Sequence, residues 1–318
     1  MRFGLDPQQR DFAASIDAAL GAADVPAANR AWAAGDTAPG RKVWATLTDL
    51  GVTALAVPER FGGIEAHPVD LVVALERLGR WCVPGPVAES IAVAPVLLAD
   101  DDRSQALASG ELIATVALPP AMPRAVDAES AGLLLLAQDD TVTEATPTRG
   151  HASVDPSRRL FDVTTSGDAK AADVRRANEF GALATAAQLV GAGQALLDQS
   201  VAYAKQRAQF GRLIGSYQAI KHKLADVHIA VELARPLVYG AALSLAGDSS
   251  ATARDVSAAK AAAADAALLA ARSGLQTHGA IGFTAEYDLS LWLLRVQALQ
   301  SAWGTPRAHR RRVLEALR

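Results

Sequence analysis

Cysteine is nearly missing from this chain. Cys82 is the single one in 318 residues, so no internal disulfide can form, and a reducing cytoplasm is the expected setting. Charge of one sign is missing too. The formal net charge is −3 and the pI about 6.1, which gives no global electrostatic support for nucleic-acid binding. No uninterrupted apolar run reaches the roughly 18 residues of a membrane span, so no membrane segment is expected. The first ten residues are polar and hold no apolar signal core. No metal-ligand cluster, internal repeat or low-complexity linker stands out. Aromatic residues make up only 5%, whereas alanine dominates the second half and favours closely packed helices.

What is present is half hydrophobic and a fifth charged, enough for a sizeable core in one large domain or about two. Three regions separate by pattern. Residues 1–110 read helical. Asp6 caps a helix with Pro7 in its first turn, Phe12, Ile16 and Leu20 form one stripe, and residues 70–78 form another amphipathic helix. Residues 58–63 are a glycine- and proline-rich loop. Residues 111–170 change character. Pro119, Pro120 and Pro123 exclude a helix, and segments 113–118, 132–137, 141–145 and 160–164 read as short strands, with Asp139-Asp140 as a hairpin turn. So small a sheet needs a neighbour to cover its face. Residues 171–318 are helical again, with long helices over 178–205, 217–247, 252–278 and 287–302. Pro236 should distort the second, and Pro306 opens a short last helix. Short connections imply an antiparallel bundle.

Two clusters carry candidate chemistry. The first is Arg207-Ala208-Gln209-Phe210-Gly211, followed by Gln218 and His222. The second is Gln276-Thr277-His278-Gly279-Ala280-Ile281-Gly282-Phe283-Thr284, followed by Glu286 and Arg295. Each sets a glycine-bearing turn beside a long helix and offers amide or guanidinium donors suited to a phosphate or nucleotide edge. Each residue also has a plainer reading. Arg207 at a helix end can cap carbonyls, Gln218 can begin a helix, His222 and His278 can be structural, and Glu286 and Arg295 can serve the bundle. Arg310, Arg311 and Arg312 could attract phosphate or simply stand near a helix C-terminus.

Taken together, these motifs resemble the carboxy-terminal signatures of the flavin-dependent acyl-CoA dehydrogenases, and the resemblance covers nearly the whole chain. It implies a mainly α fold: an N-terminal helical domain, a reduced middle β region and a C-terminal four-helix bundle. It implies FAD as cofactor, with Arg207, Gln209, Phe210, Gln218, Gln276, Gly279 and Ala280 reaching the nucleotide of a neighbouring subunit. Two departures qualify it. The family's catalytic carboxylate stands at one of two places, just before a Gly-Thr or early in the first bundle helix. Here the first place reads Ala302-Trp303-Gly304-Thr305, and the second falls on Gly181. Glu179, two residues away, is the remaining candidate base, and about 200° of helix rotation should turn it elsewhere. The flavin-holding segment corresponds to residues 117–123, which lack the family's hydroxyls and acids.

This pattern resembles the short subunits of heteromeric acyl-CoA dehydrogenases from steroid-degrading bacteria. It implies an α2β2 assembly with a longer subunit, an acyl-CoA substrate with a ring-bearing acyl group, and an electron-transfer flavoprotein or similar acceptor. Two alternatives stand beside it. One is a self-sufficient homomeric dehydrogenase using Glu179, and the other is a flavin-free helical interaction protein.

Overall fold

The computed structural model describes residues 4–247 and 249–318; residues 1–3 of the polar start lie outside them. Helix α1 (Pro7–Ala22) begins as expected. The Gln9 N–H donates to Asp6 Oδ1 at 2.8 Å and the Asp6 N–H donates to Gln9 Oε1 at 3.2 Å, a reciprocal capping box. Helices α2 (Val25–Ala33), α3 (Ala38–Asp49) and α4 (Pro68–Arg80) follow. Then come a wide turn over Glu89–Val93, α5 (Ala94–Leu97) and α6 (Arg103–Ala108). Buried Ile16, Leu20, Val43, Leu47, Leu71 and Leu75 make the stripes of these helices one core.

The middle region is a six-stranded sheet of order β1-β3-β4-β5-β2, with β6 beside β4. The strands are β1 (Ala114–Ala117), β2 (Ala125–Val126), β3 (Leu133–Gln138), β4 (Thr141–His151), β5 (Leu160–Thr165) and β6 (Lys170–Ala171). Strands β1 and β3 run parallel. Gln138 pairs with Thr141 across the Asp139-Asp140 turn, with Asp139 at φ +53°. Strand β4 runs six residues past its expected end because β5 continues the ladder beyond a bulge between Pro147 and Gly150. The sheet is fastened to the first helical region where the Ala114 N–H donates to Ser90 Oγ at 3.1 Å.

Helices α7 (Val174–Gln206), α8 (Gln218–Ala246), α9 (Thr252–His278), α10 (Leu289–Leu299) and α11 (Pro306–Ala316) complete the chain. Between α7 and α8 lies a two-stranded hairpin, β7 (Ala208–Gln209) and β8 (Arg212–Leu213). Helix α8 runs on through Pro236. By length and composition, α7 and α8 are apolar enough to cross a membrane, a correction to the reading from uninterrupted runs, which misses helices that carry an occasional charge. In α7 that window is 94% buried inside the protein, as a central core helix should be. Helices α4 and α7 cross backbone against backbone. A Cβ on Gly191 would stand 1.9 Å from the Glu76 carbonyl oxygen, and one on Gly79 2.2 Å from that of Gln188.

The turn after α10 is held by two buried bases. Lys260 donates to the carbonyls of Leu299 at 3.1 Å, Gln300 at 3.0 Å and Gly304 at 3.4 Å, a cation on a helix C-terminus. His309 of α11 donates from Nε2 to the Trp303 carbonyl at 2.8 Å and accepts at Nδ1 from Ser257 Oγ at 3.2 Å. That arrangement needs a neutral imidazole. Burial pushes Lys260 down to about 7 and His309 down to about 4.

For His309 the folded value lies below the ordinary 6.5, so the unfolded chain takes up the proton first on acidification. Its contribution to stability is complete above about 6.5 and is lost as pH falls toward about 4. The melting temperature should therefore drop across that interval more steeply for the native chain than for His309→Gln. Equal slopes in calorimetric scans would show that His309 does not carry the effect.

Candidate functional site

A cleft of about 1000 Å³ opens where the sheet meets the start of α7 and the 297–312 segment. One wall is residues 118–123. Leu118 and Met122 exchange backbone hydrogen bonds at 2.7 and 2.8 Å, and the Ala121 carbonyl accepts from the Gly304 N–H at 3.2 Å. Pro119, Pro120 and Pro123 have no N–H to give. The Ala121 N–H is thus the backbone donor this wall keeps free. Such a wall is apolar and poor in donors, the opposite of what the carbonyls and ring nitrogens of a flavin require.

Trp303 stands at φ +56° at the end of the cleft. Its indole lies against Gly181, where a Cβ would come within 2.4 Å of the ring. The indole Nε1 donates to Glu89 Oε1 at 3.0 Å. The two places at which the family resemblance locates a carboxylate, 181 and 303, are therefore neighbours filled by one side chain. Glu179 does not line the cleft. It is ion-paired with Arg312 and leaves Oε2 unbonded, and burial outweighs that arginine to raise its pKa. The carboxylates that do line the cleft are Asp139 and Asp140.

Sequence reading missed Glu89 and Arg158. Both are fully buried, and neither sits in a periodic stripe or a recognisable motif. Arg295 is structural, as its plainer reading had it. It donates to Asp155 Oδ2 at 2.5 Å, Val83 O at 2.8 Å and Ser157 Oγ at 2.9 Å, tying the bundle to both other regions. Arg310, Arg311 and Arg312 are paired with Asp265, Glu315 and Glu179, which removes them as a free phosphate patch.

The predicted nucleotide-binding residues lie elsewhere. Arg207 ends α7, exposed and without a side-chain partner among the described residues. Gln209 lies in β7, and Phe210 tops the hairpin at φ +53°, 93% exposed. Gln218 begins α8, as expected. Lys223, one turn on, donates to Gln276 Oε1. Gly279, at φ +69°, turns the chain out of α9 into a tight turn over Gly279–Phe283, with Ala280 exposed and Phe283 67% exposed. The stack of Tyr203 on His278, with ring centroids 4.3 Å apart, brings the ends of α7 and α9 together. His278 itself is structural. Nδ1 donates to the Gly274 carbonyl at 2.8 Å, and burial lowers its pKa. His222 and Glu286 are exposed. All seven candidates thus share one end of the bundle. From Gly181 to Arg207, α7 rises roughly 40 Å, so that end is far from the cleft.

Residues 6–101 match the family model for the N-terminal domain of acyl-CoA dehydrogenases, and residues 174–318 match that for the C-terminal domain. Acyl-CoA dehydrogenase IpdE2 of Mycolicibacterium smegmatis is 33% identical over 85% of this chain and 86% of its own. In fold, the chain resembles a chain of the ChsE4-ChsE5 complex from Mycobacterium tuberculosis with a TM-score of 0.86 at 22% identity, covering 100% of this chain and 99% of that one. It also resembles PigA, solved with FAD and proline, with a TM-score of 0.84 at 17% identity, covering 100% and 99%. Helical front, small sheet and helical bundle all agree with that kinship: the chain belongs to the acyl-CoA dehydrogenase family of oxidoreductases, whose cofactor is FAD.

Proposed function

We propose that this chain is the short subunit of a heteromeric acyl-CoA dehydrogenase that desaturates the Cα–Cβ bond of a bulky, ring-bearing, steroid-derived acyl-CoA. In this reading it completes the nucleotide end of an FAD site whose ring half, and whose catalytic base, belong to a longer partner subunit in an α2β2 assembly. A cytoplasmic setting and an electron-transfer flavoprotein or similar acceptor complete the reading.

The observation that carries it is the separation of the two halves. The exposed group of Arg207, Gln209, Phe210, Gln218, Gln276, Gly279 and Ala280 suits the phosphates and apolar ring edge of a dinucleotide, yet lies roughly 40 Å along α7 from this chain's own cleft. The fit to FAD is therefore good at the nucleotide end and poor at the ring end, where residues 118–123 are closed on themselves. Bound FAD supplies the hydride acceptor of the reaction. Arg207 and the Gly279–Phe283 turn would hold its phosphates, and Phe210 would cover an apolar face. Helix α8 also leaves Ile229, Leu233, Leu237 and Leu243 exposed, an apolar stripe suited to an assembly interface. The kinship to IpdE2 and the likeness to a heteromeric complex support the same reading.

A second reading has one observation in its favour: Glu179 is a buried carboxylate with a raised pKa, a common mark of a general base. Against it stand the ion pair to Arg312 and the absence of Glu179 from the cleft wall.

Purification alone and with a longer homologue tests the assignment. The expected result is a colourless chain alone and a yellow heterotetramer with the partner. A flavin-loaded homotetramer in light scattering would overturn it, and a colourless protein in every pairing would favour a purely structural role. In the complex, Arg207→Ala should weaken flavin retention on dilution by on the order of 1.5–3 kcal/mol, with circular dichroism unchanged; intact retention would make Arg207 a helix cap only. Glu179→Gln should leave turnover within a few-fold of the native complex. A true base costs ~10²–10⁴ in rate when removed, so a fall of that size at constant flavin content would make this chain the catalytic one.

A further inference from the structure

Among the described residues, the buried Arg158 guanidinium has no hydrogen bond. Its side chain is 3% exposed, and the one carboxylate oxygen of those residues within ion-pair range, Glu89 Oε1, lies 3.8 Å from Nη2. That oxygen already accepts from Trp303, and Arg158 Nη1 has no partner among the described residues. Buried polar groups in folded proteins are almost always bonded, so such a group calls for an explanation. Arg158 also lines the cleft, whose surroundings there include Leu118, Pro119, Met122, Val154 and Leu160.

The chemistry of a fitting ligand follows from these neighbours. A planar fork of N–H donors matches the two oxygens of a carboxylate. Glu89, Asp127 and Asp155 all act electrostatically on or near Arg158, so a phosphate dianion would meet about twice the repulsion that a single carboxylate does. Burial pushes Asp127 up to about 7, which discharges part of this acidic surround near neutrality. The proline-lined wall offers apolar contact and almost no donors, and a volume of about 1000 Å³ accommodates a fused-ring or long-chain body.

We infer that this chain's own cleft binds an amphipathic monocarboxylate, with the carboxylate on Arg158 and the apolar body against the 118–123 wall. The inference rests on the reading that a flavin ring is held by the partner and not by this cleft.

The test uses the purified full chain and its flavin-loaded complex, with cholate below its micellar concentration as the probe and cholate methyl ester as the uncharged control. Binding is read by calorimetry. Cholate should bind on the order of tenfold or more tighter than the ester, and Arg158→Met should abolish that preference. Because Arg158 is buried and its replacement risks the fold, Ala298→Trp, which fills the cleft from α10, provides a second arm and should abolish binding of both compounds. The 450 nm flavin absorbance of the complex should not change at saturation. Equal binding of acid and ester, or a preference that survives Ala298→Trp, would overturn the inference and leave the subunit assignment standing. Release of flavin by cholate would overturn both.

Discussion

Helix α7 is enclosed on nearly every side, and that enclosure sets the place of everything around it. From Gly181 to Leu197 almost every residue is buried. A helix so surrounded can be approached closely only where its side chains vanish. Gly191 admits the α4 backbone, and Gly181 admits the Trp303 indole. Glycine inside a helix costs about 1 kcal/mol relative to alanine, and the close contacts it permits must offset that cost through dispersion and exclusion of water. Alanine does the same work elsewhere along α7 and α9, where Ala182, Ala186, Ala263 and Ala267 are buried. The scarcity of aromatics in the composition is the other face of this packing: there is little room for them between the rods.

Much of this was legible in the sequence because it is local. Asp6 and Pro7 announce a helix start by chemistry within one turn, and the bounds 252–278 of α9 match those read from the pattern. The four longer strands were legible by their punctuation, Asp139-Asp140 above all, whereas the two-residue strands β2, β6, β7 and β8 left no pattern to read. Two boundaries moved for tertiary reasons. Strand β4 lengthens because β5 lies alongside it past the bulge, and α10 stops at Leu299 because Lys260 seizes its last carbonyls. The cleft was much less legible. Glu89, Arg158 and Trp303 come from three distant segments, and only folding brings them together. Even the motif at 302–305, read as the loss of an acid, did not reveal that its tryptophan covers the second position, Gly181, as well.

Most of the large charged groups in the interior follow one rule. Arg295 is bonded to a carboxylate, a carbonyl and a hydroxyl. Glu76 accepts from Arg77 at 2.8 Å, Arg235 at 3.1 Å and Tyr239 at 3.1 Å. Lys260 has no acid but sits on three carbonyls. Each such group is satisfied, as burial demands. These bonds also cross between regions, so they fix the sheet and the first helices against the bundle. Arg158 departs from it, with no side-chain hydrogen bond among the described residues, and it lines the cleft.

The rigidity of α7 then decides how the two halves of a family site can meet. A rod holding the cleft near one end and the exposed arginine at the other cannot fold back on itself, so in the proposed assembly the groups around Arg207 would serve a second chain. A second copy of this chain would present its own cleft, whose 118–123 wall keeps a single backbone donor, the Ala121 N–H, free. Such a pair would supply the phosphate contacts twice and the ring contacts nowhere. In the proposed assembly, a longer relative that retains hydroxyls and acids along that wall would supply what this chain lacks, and this chain's exposed end would supply what such a relative needs from its neighbour. Complementarity of this kind favours unlike subunits over like ones without any appeal to affinity, because the deficit lies in one half of the site only.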